Sequence, residues 1–283
     1  MSDGASVGYL AIGHVTRDLR ADASFAVGGT VSYAALTAAA LGRRAAVLTS
    51  AASDFDFSVF NHSVAVRYSR ASHTTTFHNL YTNGTRQQMV YSVAAPLLPE
   101  LVPLDWRSAD IVHVGPVMGE CDPDLVHTFS SETFVGVTAQ GWMRAQNGTG
   151  RVAPHPWQPS DGLLARASAV VFSLDDIQGE WLRAEELAAR TRILVVTMGA
   201  RGGVLFFEGV THPFPALKVP ETDPTGAGDI FAAVFFCKVA SGLTATIAAR
   251  YSACVASRSV GRRGINGVPC AEDLAYCDGL FSV

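Results

Sequence analysis

The sequence predicts an α/β protein in which a largely parallel sheet is covered by helices on both faces. Short apolar runs alternate with helix-forming segments along the chain, which is typical of this fold class. The 283 residues are 48% hydrophobic and 16% charged, so a substantial core can be buried. Neither an internal repeat nor a low-complexity linker interrupts the pattern. The length allows one large domain or two modest ones.

Individual elements follow from the apolar runs, taken in order. Buried strands are predicted at residues 7–12, 45–50, 110–115, 133–138, 168–173 and 192–199. Good helix formers between them predict helices at 31–41 and 177–190. In such sheets, ligands bind at the carboxyl ends of the strands, where we expect the functional site.

One region departs from this alternation. Residues 74–93 hold two stretches rich in β-formers around Thr82-Asn83-Gly84-Thr85, and Asn-Gly favours a hairpin turn. A hairpin inserted in an α/β chain serves as a lid, as a dimer edge or as an ordinary surface hairpin, and periodicity alone leaves these readings open.

Charge and composition exclude several functions. The formal net charge is −4 and the basic residues are scattered, so we expect no nucleic-acid partner. The N-terminal residues lack the pattern of a signal peptide, and the longest apolar runs are too short to span a bilayer. Five cysteines without a CxxC argue against zinc or a disulfide framework and predict a reduced, cytoplasmic compartment.

The stretch "ETDPTGAGDIFAAVFF", residues 221–236, carries the strongest local signal. Pro224, Gly226 and Gly228 allow a sharp turn into a helix that starts near Ala227. A helix start presents unpaired N–H groups, and small side chains let phosphate approach them. Asp229 would then accept a proton from an attacking hydroxyl. An ordinary glycine-rich turn with an aspartate at a helix start remains the alternative.

Two further glycine pairs are weaker signals. Gly28-Gly29 precede the predicted helix 31–41, which stops before Gly42, and they admit either a polar ligand or a tightly packed helix. A predicted strand ends near Thr197, and Gly202-Gly203 lead into another strand, as in a nucleotide-binding turn or a plain hairpin. The phosphate-binding patterns G-x-x-x-x-G-K-[ST] and G-x-G-x-x-G do not occur.

Taken together, these motifs resemble a known family. "DPTGAGDIF" resembles the C-terminal signature of ribokinase/PfkB carbohydrate kinases, and the Gly-Gly pair and "TMGARGG" precede it in the expected order. The resemblance implies a ribokinase-like three-layer α/β/α sandwich with a mostly parallel sheet and a small β lid. It implies one domain over residues 1–283, with lid elements at about 14–27 and 72–93. The implied activity is ATP-dependent phosphorylation of a sugar, polyol or nucleoside hydroxyl, with Mg²⁺ and a monovalent cation such as K⁺.

The resemblance also assigns roles to positions of this sequence. It implies that Asp229 is the base and that the backbone of Gly226, Ala227 and Gly228 is the anion hole for the transferred phosphoryl group. Asp18, in "GHVTRD", would bind substrate hydroxyls beside Gly28 and Gly29, and the nucleotide would lie near Thr197, Gly199, Gly202 and Thr225.

Some positions depart from the family pattern. Tyr33 stands where many members have a substrate-binding asparagine. "SLDDIQGE" replaces the N-x-x-E motif that organises magnesium, so Ser173 and Asp176 stand for its asparagine and glutamate. Asp176 can hold Mg²⁺ through water, since a hard cation prefers carboxylate oxygens. Asp175 and Glu180 are competing candidates, or all three belong to a solvated helix start.

"HVGPVMGE" and "VTAQGWMRAQNGTGRV" resemble the branch that includes myo-inositol kinases. This implies that Gln140 and Arg144 face the site, unless Arg144 only orders local loops. A sugar or polyol acceptor is therefore expected. The alternatives are a nucleoside in a slot lined by Tyr33, Phe77 and Trp142, a vitamin kinase, and a non-catalytic binding protein. A homodimer through the lid is the implied partner arrangement, with no membrane partner.

Overall fold

The computed structural model describes residues 6–20, 22–82 and 85–281. Its strands, in chain order, are β1 (Tyr9–Ile12), β2 (Thr16–Leu19), β3 (Phe25–Gly28), β4 (Ala45–Ala51), β5 (Val64–Arg70), β6 (Thr75–Thr82), β7 (Thr85–Ser92), β8 (Ile111–Val114), β9 (Phe134–Thr138), β10 (Arg144–Gln146), β11 (Val152–Pro154), β12 (Ala169–Ser173), β13 (Ile193–Thr197), β14 (Gly203–Phe207) and β15 (Val210–Phe214). Its helices are α1 (Thr30–Ala40), α2 (Asp161–Arg166), α3 (Trp181–Ala188), α4 (Ala227–Ala240), α5 (Ala245–Ser259) and α6 (Ala271–Phe281).

Within these described ranges, the central sheet has nine strands in the order β15-β14-β13-β12-β9-β8-β1-β4-β5. From β13 to β5 every pairing is parallel, while β14 and β15 pair antiparallel at one edge. All six predicted strands are therefore confirmed as neighbours in one mostly parallel sheet. Their carboxyl ends share one edge, which is where the functional site was expected.

The core lies in two layers because successive strand residues point to opposite faces. Tyr9 and Ala11 of β1 pack with α1, α4 and α5, whereas Leu10 and Ile12 pack with α2, α3 and the short 3₁₀ turns. A third cluster joins α4, α5 and α6. The three-layer α/β/α arrangement predicted from the sequence is confirmed.

The predicted helix 177–190 was wrong at its start. A 3₁₀ turn covers Leu174–Ile177 instead, and α3 begins at Trp181. Gln178 and Gly179 adopt positive φ values of 55° and 81°, which ends the first turn. The helix 31–41 is confirmed as α1, whose N-cap is Gly29.

A second, four-stranded sheet in the order β3-β2-β6-β7 lies outside the central one. The predicted hairpin is present as the antiparallel pair β6 and β7, while its turn residues Asn83 and Gly84 lie outside the described residues. Apart from Gly28 at the end of β3, the sheet falls within the segments at about 14–27 and 72–93 that the family resemblance assigns to a lid. Whether it closes over a ligand stays a prediction.

Buried hydrogen bonds tie this second sheet to the central one. The His14 imidazole, between β1 and β2, contacts the Thr75 hydroxyl at 2.7 Å and the Ala95 carbonyl at 2.9 Å. Since a carbonyl only accepts, Nε2 of His14 carries the proton there. The buried Glu120 carboxylate accepts the backbone N–H groups of His14 and Val117. The hydrogen bonds of His14 and Glu120 thus fix the segments through which the chain enters and leaves the second sheet.

A disulfide joins Cys254 of α5 to Cys277 of α6, in contrast to the expectation from cysteine number and spacing. The two cysteines are 23 positions apart, and only the packing of α5 against α6 brings them together. None of the helices in the described ranges has the length and hydropathy needed to cross a bilayer.

Candidate active site

A cavity of about 620 Å³ opens at the carboxyl edge of the central sheet, between that edge and the second sheet. Nearly every residue that the sequence singled out lines this cavity. These are Asp18, Gly29, Gln140, Arg144, Asp176, Thr197, Gly199, Gly202, Thr225, Gly226, Ala227, Gly228 and Asp229. Gly28 lies one layer behind: a Cβ there would come within 2.6 Å of the Thr16 hydroxyl and 2.7 Å of the Asp18 carboxylate.

The start of α4 forms a bare peptide corner in the cavity wall. Gly226 is the N-cap of α4 with φ 80°, a left-handed conformation that a side chain would strain. A Cβ at Gly226 would also meet the Tyr33 ring at 2.3 Å. Gly228, by contrast, borders open space, with no atom within 4 Å of a Cβ built there. The corner therefore offers first-turn N–H groups to an anion from its open side.

The loop before the corner is anchored by Asp223. Its carboxylate accepts the N–H of Thr225 at 3.0 Å and the N–H of Gly264 at 2.8 Å. The N–H groups of Thr222 and Asp223 donate to the Val260 carbonyl at the end of α5. One N–H of the corner is already used, because Ala227 donates to the Pro224 carbonyl at 3.2 Å. The anion-binding role predicted for Ala227 thus competes with an internal bond.

Asp229 is half-buried at the cavity floor, and its surroundings determine its proton affinity. Burial raises the pKa of its carboxyl to about 6, and the nearby carboxylates of Asp176 and Asp18 add to the rise. A hydrogen bond from Thr30 and the charge of Arg144 act in the opposite direction. A carboxylate with this pKa is mostly ionised at pH 7 and is more basic than an ordinary aspartate.

Near Asp229, Gln140 and Asp176 interact directly. Gln140 donates from Nε2 to Oδ1 of Asp176 at 3.0 Å, and the Ser173 N–H donates to Oδ2 at 2.9 Å. The second bond is half of a capping box at the 3₁₀ turn that starts after Ser173. Asp175 also lines the cavity, whereas Glu180 is an exposed N-cap residue of α3 outside it.

The three aromatic residues predicted to line a nucleoside slot do not all lie in the cavity. Tyr33 and Phe77 line the cavity, and the Tyr33 ring packs under Gly226. Trp142 is outside the cavity: it stacks on Trp157 with centroids 5.7 Å apart and donates to the Cys121 carbonyl. The proposed aromatic slot thus keeps two of its three members.

One wall of the cavity was not predicted from the sequence. Phe214 at the end of β15, residues 216–219 of the loop after it, and one face of α5 complete this wall. That face carries Ala253, Ala256 and Ser257 and continues to Val260, the C-cap of the helix. Their spacing along α5 is that of a single helix face, a signal that was available in the sequence.

Comparisons with known proteins show what the chain as a whole is similar to. Residues 167–271 match the family model described as pfkB family carbohydrate kinase. An inositol 3-kinase from Zea mays is 33% identical over 192 residues, which are 63% of this chain and 48% of that protein. A 2-dehydro-3-deoxygluconokinase from Thermoproteus tenax is 33% identical over 97 residues, 34% of this chain and 29% of that protein. The chain thus spans about half or less of the length of these curated relatives.

A solved structure gives a fuller overlap. A pyrophosphate-dependent kinase of the ribokinase family, complexed with a pyrophosphate analogue and myo-inositol, superposes with a TM-score of 0.80 at 23% identity. The overlap covers 95% of this chain and 99% of that one. This chain therefore has the ribokinase fold, and its residues 167–271 are similar to the pfkB family of carbohydrate kinases.

Proposed function

We propose that this chain transfers a phosphoryl group from ATP to a hydroxyl of a small polyol or sugar. Its ribokinase fold and the match of residues 167–271 to the pfkB family model support this function. The observation that carries this proposal is the position of Asp229. A carboxylate with its pKa raised to about 6 follows directly on a peptide corner suited to an anion, in a cavity of about 620 Å³. A base and an anion site side by side are what phosphoryl transfer to an alcohol needs.

In the proposed reaction, Asp229 accepts the proton of the acceptor hydroxyl while that oxygen attacks the terminal phosphorus. The backbone at Gly226 and Gly228, with the positive end of α4, stabilises the charge on the transferred group. Little rearrangement is needed, since Asp223 and the Val260 carbonyl already fix the loop. Positioning and charge stabilisation supply most of the catalysis in such reactions.

The acceptor is proposed to lie on the side of the cavity lined by Asp18, Gly29, Gln140 and Arg144. Asp18 supplies a carboxylate to hydroxyl groups. Gln140 uses one N–H on Asp176, and its amide retains a second N–H and its carbonyl oxygen for a ligand. The similarity to an inositol 3-kinase and to one structure in complex with myo-inositol supports a cyclic polyol as the first acceptor to test.

The phosphoryl donor is proposed to occupy the side lined by Thr197, Gly199, Gly202, Thr225 and the face of α5. Among the described lining residues, six carboxylates (Asp18, Asp175, Asp176, Glu221, Asp223 and Asp229) face two cationic side chains, Arg144 and Lys218. Such a wall suits a polyphosphate only together with a cation. The lining residues fit Mg²⁺, because Asp175 and Asp176 offer carboxylate oxygens as ligands. The ion would be held largely through water, since the described residues form no cluster of three metal ligands. The ion would supply charge neutralisation at the phosphates.

Two variations on this function have specific support. Pyrophosphate is the alternative donor, since three of the similar structures are described as pyrophosphate-dependent kinases. A nucleoside is the alternative acceptor, since Tyr33 and Phe77 place aromatic surface in the cavity wall.

The proposal has four further parts. The second sheet closes over the ligands as a lid, two copies of the chain form a homodimer through this sheet, K⁺ activates the enzyme, and the protein is located in the cytoplasm.

The test is a ³¹P NMR assay of the purified chain with Mg²⁺, with and without K⁺, and either ATP or pyrophosphate. Acceptors are myo-inositol, D-ribose, 2-dehydro-3-deoxygluconate and adenosine. We expect a phosphomonoester signal with ATP and at least one polyol or sugar. Turnover with pyrophosphate alone would replace the donor assignment, and turnover with adenosine alone would replace the acceptor. Tight binding of an acceptor by calorimetry without turnover would instead identify a binding protein.

A further inference from the structure

A line of three polar side chains runs behind the cavity across neighbouring strands. Tyr9 of β1 and His113 of β8 are fully buried, and Thr138, at the end of β9, is 7% exposed. The Tyr9 hydroxyl lies 2.8 Å from Nδ1 of His113, and Nε2 of His113 lies 2.9 Å from the Thr138 hydroxyl. The Phe236 ring of α4 packs edge-on against the imidazole with centroids 5.0 Å apart. Such a chain in an otherwise apolar layer has a cost unless every member is paired.

The protons along this line can be assigned from what each group can donate. Burial lowers the pKa of His113 to about 3, so the imidazole is neutral and has one donor and one acceptor nitrogen. Nδ1 of His113 is the hydrogen-bond partner of Tyr9 among the described residues. If Nδ1 carried the proton, the Tyr9 hydroxyl hydrogen would be buried without an acceptor. Tyr9 therefore donates to Nδ1, and Nε2–H donates to Thr138.

This assignment fixes what Thr138 can offer to the cavity. Its hydroxyl oxygen accepts from His113, so its own hydrogen is left to donate, and the residue lines the cavity wall. Thr138 also lies close to the base. A Cβ at Gly115 would meet the Thr30 methyl at 2.4 Å and the Thr138 hydroxyl at 2.9 Å, so the two threonines flank this glycine. Thr30 in turn hydrogen-bonds Asp229.

We propose that Thr138 is a specificity-determining residue that donates a hydrogen bond to an acceptor oxygen adjacent to the reacting hydroxyl, and that His113 is the positioning residue that keeps Thr138 a donor. The inference rests on the proposed function and narrows its substrate class to vicinal diols. One oxygen of the diol lies at Asp229 and its neighbour at Thr138. An acceptor without the second oxygen gains nothing from the threonine hydroxyl.

The kinetic test compares Thr138→Val with Thr138→Ser, using myo-inositol, D-ribose and their monodeoxy analogues as acceptors. Valine keeps the shape and removes the hydroxyl, so we expect KM for the diol to rise about tenfold while kcat stays within about threefold. Serine restores the donor and should restore KM. At least one monodeoxy analogue should have the same KM with the wild type and Thr138→Val, because its missing oxygen is the one that Thr138 contacts.

Thr133→Val is the matched control. Thr133 lies just before β9, away from the cavity, and its buried hydroxyl donates to the Ala109 carbonyl. This variant should leave KM unchanged. Thr138→Val with an unchanged KM, or with the same loss for every deoxy analogue, would overturn the inference. A wild type that binds and phosphorylates no alcohol would overturn this inference and the proposed function together. If the wild type turns over and Thr138→Val has the same KM as the wild type, the inference alone would be overturned.

A spectroscopic test addresses His113 independently of turnover. In ¹⁵N-histidine spectra, assigned with His113→Phe, we expect the neutral Nε2–H tautomer of His113 throughout pH 5 to 8. A Nδ1–H tautomer or an imidazolium in that range would contradict the positioning role, whatever the kinetics show.

Discussion

The first turns of α4 and α6 each carry an aspartate, and the two carboxylates have opposite electrostatic environments. Asp229 in α4 is half-buried, has few donors, and has its pKa raised to about 6. Asp273 in α6 is 1% exposed, and burial alone would raise its pKa too. Its carboxylate instead accepts from Arg262, from the Cys270 N–H and from Arg258, and these bonds hold its pKa well below the ordinary range.

The difference shows that burial does not decide what a carboxylate does. Where donors surround it, the charge is stabilised and the group acts as a structural link, here between α5 and α6. Where donors are few and a cavity is open, the charge is costly and the group can take up a proton. The same residue type is thus a candidate base at one helix start and a link at the other.

The largest expected effect comes from removing the carboxylate that is proposed as the base. Asp229→Asn should lower kcat by about 10² to 10⁴, the usual contribution of general base catalysis, with little change in nucleotide affinity. Coupled-assay kinetics and calorimetry with an unreactive ATP analogue measure the two quantities. Undiminished kcat in this variant would remove Asp229 from the chemistry.

The matched change at the other aspartate should reverse the pattern. Asp273→Asn removes the partner of two arginines and should reduce the free energy of unfolding by about 3 kcal/mol. This is the low end for a buried pair, because the side chains of Arg258 and Arg262 are 25% and 35% exposed. Below the unfolding temperature, kcat should change less than threefold. Urea unfolding and kinetics on the same preparation measure both, and a stable but inactive variant would contradict the contrast.

The two carboxylates should also give stability opposite slopes with pH. The folded pKa of Asp229, about 6, lies above its ordinary value of 3.8, so its contribution is greatest at low pH and is lost as pH rises through 6. The pKa of Asp273 is depressed, so its contribution is present above about pH 4 and is lost as pH falls. From pH 4.5 to 7.5, Asp229→Asn should therefore gain about 2 kcal/mol in unfolding free energy relative to the wild type. Urea unfolding at both pH values measures this, and a pH-independent difference would refute the raised pKa.

The smallest expected effect tests the donor that Asp229 does have. Thr30→Val removes a hydrogen bond that lowers the Asp229 pKa, so the acid limb of kcat/KM should move to higher pH by about half a unit. In the wild type, this limb should fall tenfold per pH unit below about pH 6. Thr30→Ser keeps the hydroxyl and should retain the wild-type profile. A shift to lower pH with valine would reverse the assigned role of Thr30.

The sequence was informative where a local rule determined the structure. The left-handed N-cap at Gly226, the start of α4 and the position of Asp229 follow from residue types within one turn of helix. The parallel strands could be predicted because both of their faces are buried. Each strand is therefore a continuous run of apolar residues that is easy to recognise in the sequence.

Features made by distant segments could not be predicted in this way. The Gln140–Asp176 bond, the Cys254–Cys277 disulfide and the arginines around Asp273 depend on how elements pack. Trp142 was expected to line an aromatic slot with Tyr33 and Phe77, yet it packs on Trp157 in the core layer that contains α2 and α3. Composition near a motif does not determine the direction in which a side chain points.

The most direct test of the central claim is a crystal structure of the Asp229→Asn variant with ATP, Mg²⁺ and the polyol that the assay identifies. The claim predicts the terminal phosphorus against the backbone of residues 226–228 and one acceptor hydroxyl within about 3 Å of the side chain at position 229. A terminal phosphate bound elsewhere in the cavity, or an acceptor with no hydroxyl near position 229, would contradict it.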